Sequence, residues 1–421
     1  MSDLPVLDRC MPGPLLRRVV VLHDYSEALG GASHLVQVLI GELRRRGLAT
    51  TFISGDAGSR FDRADVEFLP LHGKALLERS KLGALTCGLY NHRAFVRTRE
   101  WIANNDTPGT IYHLHGWSKI LTPAIFAALR QVSGRLILHG HDYFNGCPNG
   151  AFFDYVREQD CAVKPLGAAC LKSRCDKASH AQKLWRVGRE SLRRGLQHGG
   201  TNAARLLMIH PGQEAQFRRS GWNSGRLRTV RNPVSPLSVD RIKAEANRGI
   251  VFIGRISTEK GADLAAAAAR RSGLPITFVG DGSEVDLVRR RNPGAQFLGR
   301  QDRSGVAKAL SSARVAVMPS RWSEPFGLVA LEAVASGVPV VVSHRALVAE
   351  EISAAGFGLA VNTSDLDGFA GLLAELDRDD RAVEAMSRAG QVGYRLLCNS
   401  EESWADEVIS QYRQVLAQAT C

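Results

Sequence analysis

The chain has no apolar run near the roughly 20 residues that a membrane-spanning helix needs, so no segment of it reads as transmembrane. Its first residues, MSDLPVLDRCMPGPLLRRVVVLHDY, hold no long apolar stretch ahead of a small-residue cleavage site. They predict no signal peptide, and the two absences together predict a cytoplasmic location. Aromatic residues are few, 7%, and are not interleaved with cations in the way a base-stacking surface requires. No nucleic-acid partner is therefore expected. No short-period repeat is present, nor a series of short alternating strands of the kind that builds a β-sandwich. Acids are scarcer than bases, 42 Asp and Glu against 54 Lys and Arg, which leaves a net charge of +12.

What is present is an ordinary globular composition, 44% hydrophobic and 23% charged over 421 residues, long enough for two domains. Apolar strand-like runs alternate with helical patterns. RRVVVLHDY is followed by GGASHLVQVLIGELRRRG, where Leu35, Val38, Leu39 and Leu43 recur at helical spacing. ATTFISG, TIYHLHG, RLILHGHDY, AARLLMIH and LRTVRNPV supply further strands. Two prolines, Pro233 and Pro236, and polar residues mark a linker near residues 232–248. A second series of strands and helices then runs from GIVFIGRIS to RVAVMPSRW and GVPVVVS. Such alternation predicts an α/β fold, with mostly parallel sheets covered by helices on both faces.

The positive charge is uneven. Residues 157–231 carry a run of cations, and KLWRVGRESLRRGLQ places Leu184, Val187, Leu192 and Leu196 roughly on one side and its arginines on the other. This helix reads either as a solvated face or as a patch for an anionic membrane surface, with Arg189, Arg193 and Arg194 its cations. Four of the eight cysteines, Cys147, Cys161, Cys170 and Cys175, fall in one segment. In a cytosolic chain such a cluster is a candidate for metal or redox chemistry, although its spacing is not the two-pair pattern of a zinc ribbon. The alternative is thiols that pack a loop.

In open parallel sheets ligands sit beyond the carboxyl ends of the strands. After the first strand, Gly30 and Gly31 precede a helix, whose N-terminus favours an anion. GRISTEKG sets Arg255 and Lys260 between Gly254 and Gly261, two cations suited to clamp a diphosphate or to sit on an ordinary surface loop. PSRWSEPFGLVALEAVASG carries two glutamates eight residues apart. A helix starting near Gly327 would point free amides, with those of Phe326, Leu328 and Val329, at a phosphate. Glu324 precedes that helix, and Glu332 lies about five residues in, roughly 7 Å along the axis. Carboxylates are acceptors for paired hydroxyls, as on a sugar or ribose.

EPFGLVALE followed by ASGVPVV resembles the E-x7-E signature of retaining glycosyltransferases of family 4. GG, HLHG, HGHDY, NPV, GRISTEKG, VGDGSE and FLGR occur in that family's order, over roughly residues 17–415. The resemblance implies the GT-B architecture: two Rossmann-like domains facing a central cleft, residues 1–235 on the acceptor side and 236–400 binding the nucleotide sugar, with the last helix, 401–421, returning to the first domain. It implies transfer of a sugar from a UDP- or GDP-linked donor to a lipid-linked or saccharide acceptor, in surface polysaccharide or glycolipid assembly, with no cofactor or metal required. Glu324 then resembles the glutamate at the donor sugar, and Glu332 the one at the ribose. Arg255 and Lys260 resemble the diphosphate pair, while Phe326, Gly327, Leu328 and Val329 contribute backbone to sugar and phosphate. Leu298 and Gly299 correspond to the backbone that meets the base, His141 to the active-site histidine, and Gly31 to the loop near the β-phosphate. DLD at 365–367 mimics the metal motif of the other major glycosyltransferase fold but is better placed to open a helix. A hydrolysing nucleotide-sugar epimerase is the alternative enzyme reading.

Overall fold

The structure is a computed structural model that describes residues 14–197 and 203–419. Two parallel sheets dominate it. The first is built from β1 (Arg18–His23), β2 (Ala49–Ser54), β3 (Glu67–Pro70), β4 (Thr110–Leu114) and β5 (Leu136–Gly140). A small antiparallel hairpin follows, β6 (Phe153–Asp154) with β7 (Gln159–Asp160), and then β8 (Arg205–Met208) and β9 (Leu227–Thr229). The seven strands of this sheet are ordered β3-β2-β1-β4-β5-β8-β9. The second sheet uses β10 (Ile250–Ile253), β11 (Ile276–Val279), β12 (Gln296–Phe297), β13 (Val315–Met318), β14 (Val340–Ser343) and β15 (Gly358–Val361). Its order is β12-β11-β10-β13-β14-β15.

Central strands such as β1 and β14 carry continuous apolar runs because both faces of the sheet there are covered by helices. Val19, Val20, Val21 and Leu22 of β1 are all fully buried. Alternate residues feed opposite layers: Val20 and Leu22 pack with Tyr112, Leu114 and Leu138, whereas Val19 and Val21 pack with Ile111, Ile137 and the first helix, Gly31–Arg45. The last helix, Glu401–Gln418, adds Trp404, Val408, Tyr412 and Val415 to this second layer. Residues 232–248 are a packed connection rather than a free linker. Ile242 N donates to Ser336 O at 2.9 Å, and Leu237 N to Ser336 Oγ at 2.8 Å.

The helix His180–Leu196 corrects the reading of it as a cationic surface. Arg189 and Arg193 are buried, and so is Lys183, while Leu184 is 49% exposed. The physical reason is that each cation finds a partner inside. Arg189 donates to Gly88 O at 2.8 Å and Ser118 O at 2.9 Å and lies over the rings of Trp117 and Trp185. Arg193 forms a fork with the buried Glu190, at 2.7 Å to each oxygen, and Arg194 shares that carboxylate at 2.8 Å. Burial of a charge is tolerated when it is paired and hydrogen-bonded in this way. Arg189 and Arg193 face inward and are not available to a membrane-facing patch.

Candidate functional site

A cavity of about 690 Å³ lies between the carboxyl ends of the two sheets. One wall is the start of the first helix, with Gly30 and Gly31. Gly31 allows close approach of the domains, since a Cβ there would stand 2.9 Å from Leu328 Cδ1. The opposite wall is the end of β10, carrying Arg255 and Lys260, and the turn after β13. That turn holds Glu324 and leads through Phe326 to the helix Leu328–Ala335. Gly327 caps this helix at φ 73°, a left-handed conformation that favours glycine. The first turn of the helix, with Leu328 and Val329, lines the cavity.

Glu324 is a heavily bonded carboxylate of the cavity lining. Its Oε2 accepts from Lys260 Nζ at 2.6 Å, Trp322 Nε1 at 2.9 Å and Ser320 Oγ at 3.3 Å. All three bonds meet on one oxygen, and Oε1 takes none of them. Lys260 also lies 5.8 Å over the Trp322 ring. Trp322 in turn packs edge-on to Tyr143 of the first domain, with ring centroids 6.3 Å apart. Arg255 is 64% exposed, and its guanidinium is 3.9 Å from the buried Glu259. Glu259 also receives Lys177 at 3.8 Å.

Not every sequence-predicted residue lines this cavity. Leu298, Gly299 and Glu332 stand outside its lining. Gly299 takes φ 66°, and its carbonyl accepts from Gly280 N at 2.8 Å. Glu332 pairs with Arg303 at 3.1 Å, and Arg303 also holds Ser235 O and Pro236 O. Burial raises the Glu332 carboxyl above its ordinary range, and Arg303 only partly offsets it.

On the first domain, His141 lines the cavity, and its Nε2 is 2.9 Å from His115 Nδ1. Burial and the neighbouring imidazoles push the His141 ring well below its ordinary value. Asp142, Lys119, Asn149, Tyr155 and Arg186 also line the cavity and were not singled out from the sequence. Desolvation pushes the Asp142 carboxyl up to about 6. Asp142 lies inside the HGHDY motif, so a signal for it existed. Asp24 was missed too. Its buried carboxylate accepts from the backbone N–H of Lys119, Ile120 and Leu121, each at 2.8 Å, and so holds the turn after β4.

Of the cysteine segment, Asn149, Gly150, Ala151 and Tyr155 line the cavity, and the cysteines themselves do not. Cys147, Cys170 and Cys175 are buried, Cys161 is partly so, and all four are free thiols. Two of them face an amine. Lys183 Nζ is 3.1 Å from Cys175 Sγ and 3.4 Å from Cys170 Sγ. Burial alone would lower the Lys183 pKa, but the nearby sulfurs raise it above the usual lysine value. Among the described residues, the cluster that brings three or more metal-ligating side chains together is instead His113, His115 and His139.

Residues 239–393 match the family described as glycosyl transferases group 1. A glycogen synthase of Mycobacterium tuberculosis is 31% identical over 153 residues, 34% of this chain and 37% of that protein. The chain spans from 37% to about half of the length of the curated relatives it matches. Among solved structures, sucrose-phosphate synthase from Thermosynechococcus elongatus superposes with TM-score 0.71 at 17% identity, covering 96% of this chain and 100% of that one. Anabaena Alr3699/HepE in complex with UDP-glucose gives 0.62 at 15%, covering 94% and 99%. The architecture is that of the GT-B glycosyltransferases: two parallel α/β sheets with a cleft at their carboxyl ends.

Proposed function

We propose that this chain, whose C-terminal domain matches the glycosyl transferases group 1 family, moves a sugar from a nucleoside-diphosphate donor to an acceptor hydroxyl. The observation that carries the reading is the contact between Lys260 and Glu324 at the mouth of a cleft that two helix starts also face. Lys260 and Arg255 meet the diphosphate, and the amides at 327–329 add to them. The charge that grows on the leaving diphosphate is stabilised by groups already in place, which is how such sites accelerate transfer. Glu324 Oε1 accepts from sugar hydroxyls, and its Oε2 keeps Lys260 oriented. Glu332 holds the ribose once Arg303 yields, and Leu298 and Gly299 meet the base. Complexes of HepE with UDP-glucose support a UDP-linked donor, and a GDP-mannose-dependent mannosyltransferase of Corynebacterium glutamicum, 24% identical over 209 residues, supports a GDP-linked one.

The transfer retains anomeric configuration, with the departing diphosphate taking the acceptor's proton. This part rests on the likeness of the E-x7-E stretch. The acceptor is a saccharide or lipid-linked saccharide of surface polysaccharide or glycolipid assembly, and it meets His141 on the first domain.

Glu324→Ala is expected to cut transfer by about 10²–10³-fold, the scale for loss of one preorganised charge-stabilising group, with the unfolding transition nearly unmoved. Unchanged turnover would refute the role of Glu324. The anomer of the product, read by NMR, tests retention. An inverted product together with an inactive Asp142→Asn would instead make Asp142, whose carboxyl burial pushes up to about 6, the general base.

A further inference from the structure

We propose that His113, His115 and His139 form a binding site for a borderline transition-metal ion of the zinc class, beneath the cleft and apart from the diphosphate clamp. Strands β4 and β5 are adjacent and parallel, with His113 opposite Ile137 and Leu114 opposite Leu138. The two-residue period of a strand therefore puts both residues of the H-x-H in HLHG, and both of the H-x-H in HGHDY, on one face. That face is covered by the closing helix. His113, His115 and His139 are 0%, 5% and 1% exposed, and one ligand nitrogen from each lies within 4.8 Å of the others.

The outer nitrogens of two rings are already held. His113 Nδ1 is 2.6 Å from the Tyr412 hydroxyl, and His115 Nδ1 is 2.9 Å from His141 Nε2. Fixing the distal ring nitrogen is what orients an imidazole toward a metal. The inner nitrogens are poorly served. His115 Nε2 and His139 Nε2 are buried without a hydrogen-bond partner. Native interiors rarely leave such groups unpaired, and a stack of neutral histidines does not explain them.

The donor set selects the ion. Three imidazoles with no carboxylate among them suit zinc, copper or nickel, whereas magnesium and calcium take oxygen ligands. The rings of His113 and His139 stack 5.2 Å apart at 19°, and those of His115 and His139 4.8 Å apart at 22°. Lone pairs of parallel rings do not converge, so ligation turns His139 out of the stack and exchanges its 3.2 Å bond to His113 for the ion. His115, ligating through Nε2, then keeps its proton on Nδ1 and donates to His141 Nε2. The ion thereby sets the tautomer that His141 presents to the cleft.

The test uses the full chain without an added histidine tag, stripped with a chelator and titrated with Co²⁺ and Zn²⁺. One equivalent of Co²⁺ is expected, with visible d–d bands of an imidazole site, no thiolate charge-transfer band, and displacement by Zn²⁺. Tyr412→Phe is expected to weaken Zn²⁺ binding by about 10–100-fold, the usual effect of losing a partner of a metal-bound histidine, and His139→Asn to abolish it. Absence of an equivalent overturns the site. So does a thiolate band, which would move the metal to Cys147, Cys161, Cys170 and Cys175, or undiminished binding in a folded His139→Asn. The cobalt spectrum of the unaltered chain decides the question even if His139→Asn does not fold.

Discussion

Glu332 shows how a single carboxylate in an apolar helix carries a cost that function can use. It sits in LVALEAVA with Arg303 as its counter-charge. Because burial raises its pKa above the ordinary value of 4.5, the folded chain holds that proton to higher pH than the unfolded chain. Stability therefore falls as pH rises from about 4.5 through the raised value, and the penalty is complete above it. Glu332→Gln removes the penalty. Urea unfolding is expected to show the variant more stable than the parent near pH 7, with the gap closing near pH 4, while the variant binds the donor more weakly. A gap of equal size at both pH values would contradict this reading. Lys183 is the opposite case, a buried cation whose amine donates to the sulfurs of Cys170 and Cys175 and stays charged beside them. Charge patterning along the chain did not reveal it. Counting cations in KLWRVGRESLRRGLQ predicts exposure, because partners that bury them, Trp117 and Gly88 far away in sequence, enter only in three dimensions.

At the scale of elements, most strands of the two large sheets and their flanking helices were legible because those strands are largely apolar and those helices repeat at 3.6 residues, whereas β3, β6, β7 and β15 went unread: β7 is Gln159–Asp160 and exposed, and β3 is only partly buried. The helix after Gly327 was legible for the same reason, together with the glycine that opens it. Gly31, Arg255, Lys260, Glu324 and residues 326–329 are strand-end residues in the sequence, and the structure gathers them about one cavity. The histidine layer was harder to read. HLHG and HGHDY each show the two-residue period, but only the pairing of β4 with β5 makes them one cluster. The closing helix completes that layer with Trp404, which is fully buried against β1 and the first helix. Trp404→Ala is expected to cost about 3–5 kcal/mol of unfolding free energy, measured by chemical denaturation. A loss below about 1 kcal/mol would mean that the helix is only loosely docked.

At the scale of the whole molecule, polar contacts join the two domains beside the Trp322 packing. The hairpin β6–β7 of the first domain reaches the second. Glu158 Oε2 accepts from Arg321 Nε at 3.1 Å, its carbonyl accepts from Arg345 Nη1 at 3.2 Å, and Asp160 Oδ1 accepts from Ser323 Oγ at 2.9 Å. Exposed pairs of this kind contribute about 0–1 kcal/mol each, so they bias the cleft without fixing it, as closure around a ligand requires. Removing both carboxylates, Glu158→Ala with Asp160→Ala, is expected to leave the unfolding transition within a few degrees of the parent. It should increase the radius of gyration seen by small-angle scattering. An unchanged scattering profile would show that the hairpin does not hold the domains together.

The central claim is that Lys260 and Arg255 form a diphosphate clamp for a sugar donor. Thermal unfolding in the presence of UDP- and GDP-linked sugars tests it most directly, since a ligand specific to the folded state at about 100 times its Kd adds about 2.7 kcal/mol. The account predicts that one nucleotide class raises the transition, that its nucleoside monophosphate does not, and that Lys260→Ala and Arg255→Ala each remove the shift. No shift with any nucleotide sugar, or a shift that survives both substitutions undiminished, would contradict it.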